Sequence, residues 1–177
     1  MEENTYTPIE AGARIGHVHL KVGDLDRSIA FYHGVLGFDI MSRGAGAAFL
    51  SAGGYHHHLG LNTWESQGGA APAVGTTGLY HAAILYPSRP ALGRALRRLV
   101  DAGWPLGGAA DHGVSQALYL DDPDGNGVEL YWDRPQQEWP RDDDGRVAMY
   151  TRHLDLESLL RAADEDAPEP QGTPAGG

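Results

Sequence analysis

Apolar and polar positions alternate from Arg14 to Val22 (RIGHVHLKV), a period of two that predicts a strand with His17 and His19 on the same face. The period then changes. After Asp24, a side chain suited to capping a helix, Leu25, Ile29, Tyr32 and Leu36 recur at helical spacing until Gly37 stops the pattern. Three short runs follow, Phe38 to Ser42, Ala47 to Ala52 and His56 to Asn62, separated by glycine-rich turns, and each reads as a strand. Residues 14–62 therefore predict a βαβββ unit.

The plan recurs. LYHAAILY predicts a strand that places His81 where His17 stands in the first copy, 64 residues earlier. Ser88 and Pro90 open a helix with Leu92, Leu96, Leu99 and Val100 on one face, and Gly103 ends it. Strands are expected at Trp104–Ala109, Gln116–Leu120 and Gly127–Trp132, the last two flanking the tight turn Asp122-Pro123-Asp124-Gly125-Asn126-Gly127 as a hairpin. In its second strand Val128, Leu130 and Trp132 share one face, and Glu129 and Tyr131 the other. A carboxylate inside an apolar strand is costly unless it is paired, hydrogen-bonded or bound to a metal, so Glu129 calls for cations or imidazoles opposite it. Two copies of one unit, 14–62 and 79–133, joined by a Gly/Ala/Pro-rich linker at 63–78, predict an α+β fold built from paired βαβββ modules. An arm at 1–13 precedes them. An extension at 134–163 is expected to hold an acidic loop, one short strand in RVAMYT and a helix from about Asp155 to Ala163, before a Pro-, Gly- and acid-rich tail at 164–177 expected to be disordered.

Composition narrows the partners. The chain has 177 residues, 41% of them hydrophobic, enough for one ordinary domain or two small modules sharing a core. Its 24 acidic and 13 basic residues give a formal net charge of −11, which argues against nucleic acid or an anionic membrane as the main partner. The absence of cysteine removes disulfides, thiolate zinc sites and thiol nucleophiles, and suits a reducing compartment. No apolar run approaches the roughly 18 residues of a membrane span, and a cytoplasmic location is expected.

Paired βαβββ units with a histidine in the first strand of each and a glutamate in the last strand of the second, together with the motifs HVHLKVGDLDRSIAFYHGVLGF and LDDPDGNGVELYW, resemble the vicinal oxygen chelate superfamily of glyoxalases, bleomycin resistance proteins and extradiol dioxygenases. The resemblance covers residues 14–133. It implies modules that curl into a half-barrel around a metal ion held by His17, His81 and Glu129, a set that leaves one side of the ion open and is associated with non-heme Fe(II) chemistry. His19, facing the same way as His17, is its rival.

Three features bear on the subfamily. Leu59 and Leu61 suggest that His58, Gly60 and Asn62 face the cavity, so that His58 stands where many glyoxalases have a fourth, carboxylate ligand. In ring-cleaving relatives a histidine of this strand acts as acid or base; here His57 and His58 are both candidates, with a plain surface triplet as the alternative. Tyr119, ten residues before Glu129, matches the spacing of the active-site tyrosine and glutamate ligand of extradiol enzymes, unless it is a core residue. Asp111-His112-Gly113-Val114-Ser115 resembles the segment preceding that tyrosine, which makes His112 a third candidate beside a simple loop histidine. The resemblance thus implies a dioxygenase of the catechol 2,3-dioxygenase kind, acting on a small aromatic vicinal diol with O2 through Fe(II) or Mn(II). Phe49, Tyr131 and Trp132 are expected along the cavity, and a homodimer is expected because such small paired modules often dimerise. Two alternatives stay open: a glyoxalase-type isomerase or lyase using Ni(II) or Zn(II), and a non-catalytic protein that binds an aromatic ligand.

Overall fold

Two mixed sheets share one helical layer in the computed structural model, which describes residues 7–165. The first sheet holds β1 (Val18–Lys21), β2 (Asp39–Gly44), β3 (Ala47–Ser51) and β4 (Leu59–Asn62) in the order β1-β4-β3-β2. The second holds β5 (Ala82–Leu85), β6 (Gly108–Asp111), β7 (Ser115–Asp121), β8 (Gly127–Asp133) and the two-residue β9 (Arg152–His153) in the order β5-β8-β7-β6-β9. In both, the first strand runs parallel to the last strand of its own unit while the remaining pairs are antiparallel. The fold is α+β, as the alternation of helical and strand periods implies.

The helices cover one face. Asp24 caps α1 (Leu25–Ile29), its carboxylate accepting from the Arg27 N–H, and the helix continues as a π-turn from Ala30 to Val35 rather than as the uniform helix expected. Within this wider turn two consecutive aromatics, Phe31 and Tyr32, are both in the core at 1% exposure each. Ser88 caps α2 (Arg89–Asp101), and Leu92, Ala95, Leu96 and Leu99 are buried. Val100, expected on that face, is 57% exposed, because the residue after Leu99 lies a further 100° around the helix. These residues pack with Leu50, Leu61, Leu118 and Leu130 into one core drawn from both units.

The β7–β8 turn ties the units together. Asp122 and Asp124 are 4% and 7% exposed, and every carboxylate oxygen is used. Asp122 accepts from the N–H groups of Asp124 and Asn126, from the Asn126 amide and from the Tyr32 hydroxyl, the last at 2.9 Å. Asp124 accepts from Gly23 N–H at 3.0 Å, from Arg27 at 2.5 Å and from the Ser28 hydroxyl at 3.2 Å. Four donors from the start of the first unit therefore converge on two carboxylates made about a hundred residues later. Burial, followed by the charge of Asp122, its hydrogen bond and Asp124, pushes the Tyr32 phenol well above its ordinary value, so it remains a donor.

The extension folds back on the second unit. α3 (Leu156–Ala162) lies on α2 where Gly93 leaves room; a Cβ there would run into the Leu159 carbonyl. Arg97 reaches Leu160 and Asp164, and Arg89 joins Gln116 to Ser158. Asp164 is thus held by an ion pair although it begins the tail expected to be disordered; from 166 onward that expectation lies outside the described residues. The strand expected at RVAMYT is absent: 146–151 makes one bridge, Arg141 to Val147, and sheet pairing begins only at Arg152, opposite Asp111. The strand expected from Trp104 begins at Gly108, since Pro105 has no N–H and the Trp104 indole donates to the Asp121 carbonyl at 3.0 Å. Among the described residues no helix is long and apolar enough to cross a membrane.

Replacing Asp124 by Ala leaves Gly23 N–H, Arg27 and Ser28 without their acceptor, and the expected loss is about 2–3 kcal/mol of unfolding free energy. Asp121→Ala at the exposed neighbouring position is expected to cost less than about 0.5 kcal/mol. Denaturant midpoints of the two variants check this.

Candidate metal centre

Strand register brings the second unit's polar side chains to one place. Glu129 on β8 lies directly between Tyr119 of β7 and Ala83 of β5, so all three project from the face opposite the helices. His81, two residues before Ala83, shares that face and sets its Nε2 2.9 Å from Glu129 Oε2. Gly127 permits the approach: a Cβ there would collide with the Tyr80 carbonyl and lie 3.1 Å from His81 Cβ. On the other oxygen, Tyr119 donates to Glu129 Oε1 at 3.0 Å, and the Tyr119 hydroxyl in turn lies 2.9 Å from His112 Nε2. The result is a continuous string, His112 to Tyr119 to Glu129 to His81, beside a cavity of about 420 Å³ lined by Tyr80, His81, Gly107, Tyr119 and Gly127. The question posed by a carboxylate in an apolar strand is answered by an imidazole on one oxygen and a phenol on the other.

Burial, then the hydrogen bond to Glu129, the charge of Glu129 and the neighbouring Tyr80 push the Tyr119 phenol up to about 12, so it stays protonated and donating at neutral pH. The turn that carries His112 is braced from below. Burial alone would raise the Asp111 carboxyl, but the Gly113 N–H, the Gln116 amide and Arg134 outweigh it and hold that group below its usual range.

The first unit presents a separate set of imidazoles. His17 lies just before β1, exposed, its ring centroid 4.4 Å from that of His57. His57 also packs against Phe49, and its Nδ1 is 2.8 Å from His56 Nδ1. Partial desolvation and then the neighbouring histidines His17, His56, His19 and His58 lower the His57 pKa. His58, which precedes β4 rather than lying within it, points its Nδ1 at the Ala52 N–H and the Ser51 hydroxyl, so that nitrogen is an acceptor. His19 stands over Gly60, where a Cβ would lie 2.8 Å from the ring, and packs with Phe49 and Trp64. His57 is therefore the member of the triplet that touches His17. Leu59 and Leu61 do face the core, which leaves Gly60 on the His19 side.

The two units face each other across a cleft that His17 and His58 line from the first unit, while His81 and Tyr119 line a separate cavity. Ile15 to Val18 and His58 form one wall of an opening of about 310 Å³, and Ala82 to Leu85 of β5 form the other. Among the described residues no three His, Asp or Glu side chains already converge closely enough to hold an ion. The donors nonetheless fit a borderline divalent cation: imidazole nitrogen, carboxylate oxygen, and a His81 Nδ1 that is buried without a hydrogen-bond partner among the described residues. Sequence reasoning did not anticipate Tyr150 and Thr151, whose carbonyl and hydroxyl face His112 Nδ1 at 3.3 and 3.2 Å. Nothing in RVAMYT marks those residues as neighbours of a loop almost forty positions earlier.

Comparison with known proteins places this geometry in context. Residues 14–130 match the model of the Glyoxalase/Bleomycin resistance protein/Dioxygenase superfamily. A catechol-2,3-dioxygenase of Bacillus subtilis (strain 168) is 43% identical over 160 residues, which are 90% of this chain and 55% of that protein. Biphenyl-2,3-diol 1,2-dioxygenase 3 of Rhodococcus globerulus is 33% identical over 122 residues, 68% of this chain and 63% of that one. The chain thus spans a little over half the length of these curated relatives. Among solved structures, a glyoxalase/dioxygenase from Nostoc punctiforme aligns with a TM-score of 0.58 at 19% identity, over 73% of this chain and 99% of that one.

The Tyr119–Glu129 contact predicts a pH response. In metal-free protein, the Tyr119 phenol is expected to titrate near 12, and in Glu129→Gln lower but still above 10, since burial remains. Because its folded value is raised, the stability linked to this phenol is complete below pH ~10 and is lost as pH rises through ~12. The loss is steeper in wild type than in the variant. Carbon-13 NMR of labelled tyrosine and alkaline unfolding curves measure the two effects.

Proposed function

The chain belongs to the glyoxalase/bleomycin resistance protein/dioxygenase superfamily, and from that premise we propose that it is an extradiol ring-cleaving dioxygenase acting on a small catechol-like diol with O2. The observation that carries the reading is the Tyr119–Glu129–His81 cluster with His112 behind it, a carboxylate held between an imidazole and a phenol that both line a cavity. The similarity to proteins named catechol-2,3-dioxygenase and biphenyl-2,3-diol dioxygenase supports it.

His81, Glu129 and His17 are the residues proposed to hold Fe(II), or Mn(II), and the protein's own metal-ligand types suit either ion. Bound there, a divalent cation would supply Lewis acidity that lowers the pKa of the diol. The remaining work falls to the chain. Tyr119, kept as a phenol, holds its hydroxyl at the cavity between the carboxylate and His112, and the two side chains together are proposed to orient a substrate oxygen bound beside them. His57, whose pKa is lowered by partial desolvation and then by its imidazole neighbours, is the proposed base for the second diol proton and the acid that returns it. His58, with its Nδ1 engaged by Ala52 N–H, positions the segment. The cavity of about 420 Å³ falls in the range of small-molecule sites. A glyoxalase-type lyase would call for a carboxylate base on the first unit's face, where this chain presents His17, His19 and His57.

Anaerobic loading with Fe(II), addition of a catechol panel and admission of air are expected to give oxygen uptake with a new visible absorbance. His57→Gln is expected to lower kcat by about 100-fold or more. Uptake on none of the diols by protein that demonstrably carries iron would overturn the reading, and turnover of a thiohemiacetal with nickel or zinc would replace it by the isomerase.

A further inference from the structure

Both ring nitrogens of His112 are engaged, and the chemistry of their partners settles more than the ring's orientation. Nε2 lies 2.9 Å from the Tyr119 hydroxyl, while Nδ1 faces the Thr151 hydroxyl at 3.2 Å and the Tyr150 carbonyl at 3.3 Å. Tyr119 owns one proton and gives it to Glu129, which as a carboxylate can only accept. With that proton committed, the Tyr119 oxygen is left to accept from His112, so the hydrogen of a neutral ring sits on Nε2 and Nδ1 is bare. A bare nitrogen needs a donor. The Tyr150 carbonyl cannot be one; the Thr151 hydroxyl can.

We propose that Thr151 is a positioning residue that donates to His112 Nδ1, fixing the Nε2–H tautomer and so ordering a one-way string of hydrogen bonds from Thr151 through His112 and Tyr119 to Glu129. The C-terminal extension thereby supplies a polar group to the site of the second unit. Its hold on the ring is firm on both sides. The Tyr150 N–H donates to the His112 carbonyl at 3.2 Å, and Arg152 begins the pairing of β9 with Asp111. Gly113, at φ 79°, lies under the Tyr150 ring and Pro140, where a Cβ would sit 2.7 and 2.8 Å from their carbons. Tyr150 is itself capped by the Arg152 guanidinium, 4.1 Å from its ring centre. The hydroxyl at 151 is therefore presented by a segment that cannot easily turn away.

With Nε2 as donor, His112 offers a hydrogen bond toward the Tyr119 side of the cavity; with the other tautomer it would offer a lone pair, and Tyr119 would have to choose between two acceptors. The consequence for turnover rests on the dioxygenase reading, whereas the tautomer does not. Long-range proton–nitrogen correlation spectra of nitrogen-15-labelled, metal-free protein at about two pH units above the ordinary imidazole value read it directly. Wild type and Thr151→Ser are expected to show a protonated Nε2 and an unprotonated Nδ1 for His112. Thr151→Val keeps the shape without the hydroxyl, and Nδ1 is expected to take the proton and donate to the Tyr150 carbonyl, so that the two nitrogen resonances exchange character. A wild-type His112 protonated at Nδ1, or a Val variant that keeps the wild-type pattern, would overturn the proposal. The wild-type spectrum tests it even if a variant folds poorly, and oxygen uptake plays no part in the readout, so failure of the enzyme reading is seen separately.

Discussion

A carboxylate set into a sheet between apolar strands must be compensated, and the second unit is arranged around that requirement. Glu129 keeps one oxygen for His81 and one for Tyr119. Each partner is placed by a separate piece of backbone: His81 by the parallel β5 pairing and the gap left at Gly127, Tyr119 by the antiparallel register of β7. Partial burial strengthens these bonds and, with the neighbouring carboxylate, keeps Tyr119 a phenol, so the cluster presents a phenol donor next to the carboxylate. Such a group is receptive to a cation, and the unpartnered His81 Nδ1 adds a further lone pair or proton that nothing in the described protein uses.

Much of this was legible because periodicity and parity are local. Alternation placed Glu129 and Tyr131 opposite Val128 and Leu130, and Val128 and Leu130 are indeed buried. Its ten-residue spacing from Glu129 singles out Tyr119, and the structure pairs the two directly across the β7–β8 hairpin. Local rules failed where a contact depends on distant chain. The π-turn at Ala30–Val35 carries Phe31 and Tyr32, both buried, and Tyr32 donates to Asp122 ninety residues away, a contact no local pattern reveals. The triplet at 56–58 could not be assigned by register because only Leu59 onward is a strand, leaving His57 to follow its contacts with His17 and Phe49. The Tyr150–Thr151 step was invisible for the same reason: its role comes from folding back on His112.

The two imidazole groups belong to different sheets. The first unit contributes mutually crowded rings, exposed at His17, His19 and His56, and the second contributes a half-buried, hydrogen-bonded pair. Between them lie the outer edges of β1 and β5, which make no ladder with each other and form opposite walls of one cleft. The distance between the two groups is set by how the helical layer packs, chiefly by the shared core and by the turn at 122–126, and not by any direct bond between the strands that carry them.

That turn also bears on the order in which the molecule is made. Gly23, Arg27, Ser28 and Tyr32 have emerged long before the aspartates that satisfy them, so a nascent first unit must leave those donors to water until residue 124 leaves the ribosome. Contacts of such long sequence separation close late and slow the search for the native state. The first half of the chain therefore carries four donors whose acceptors only the second half supplies.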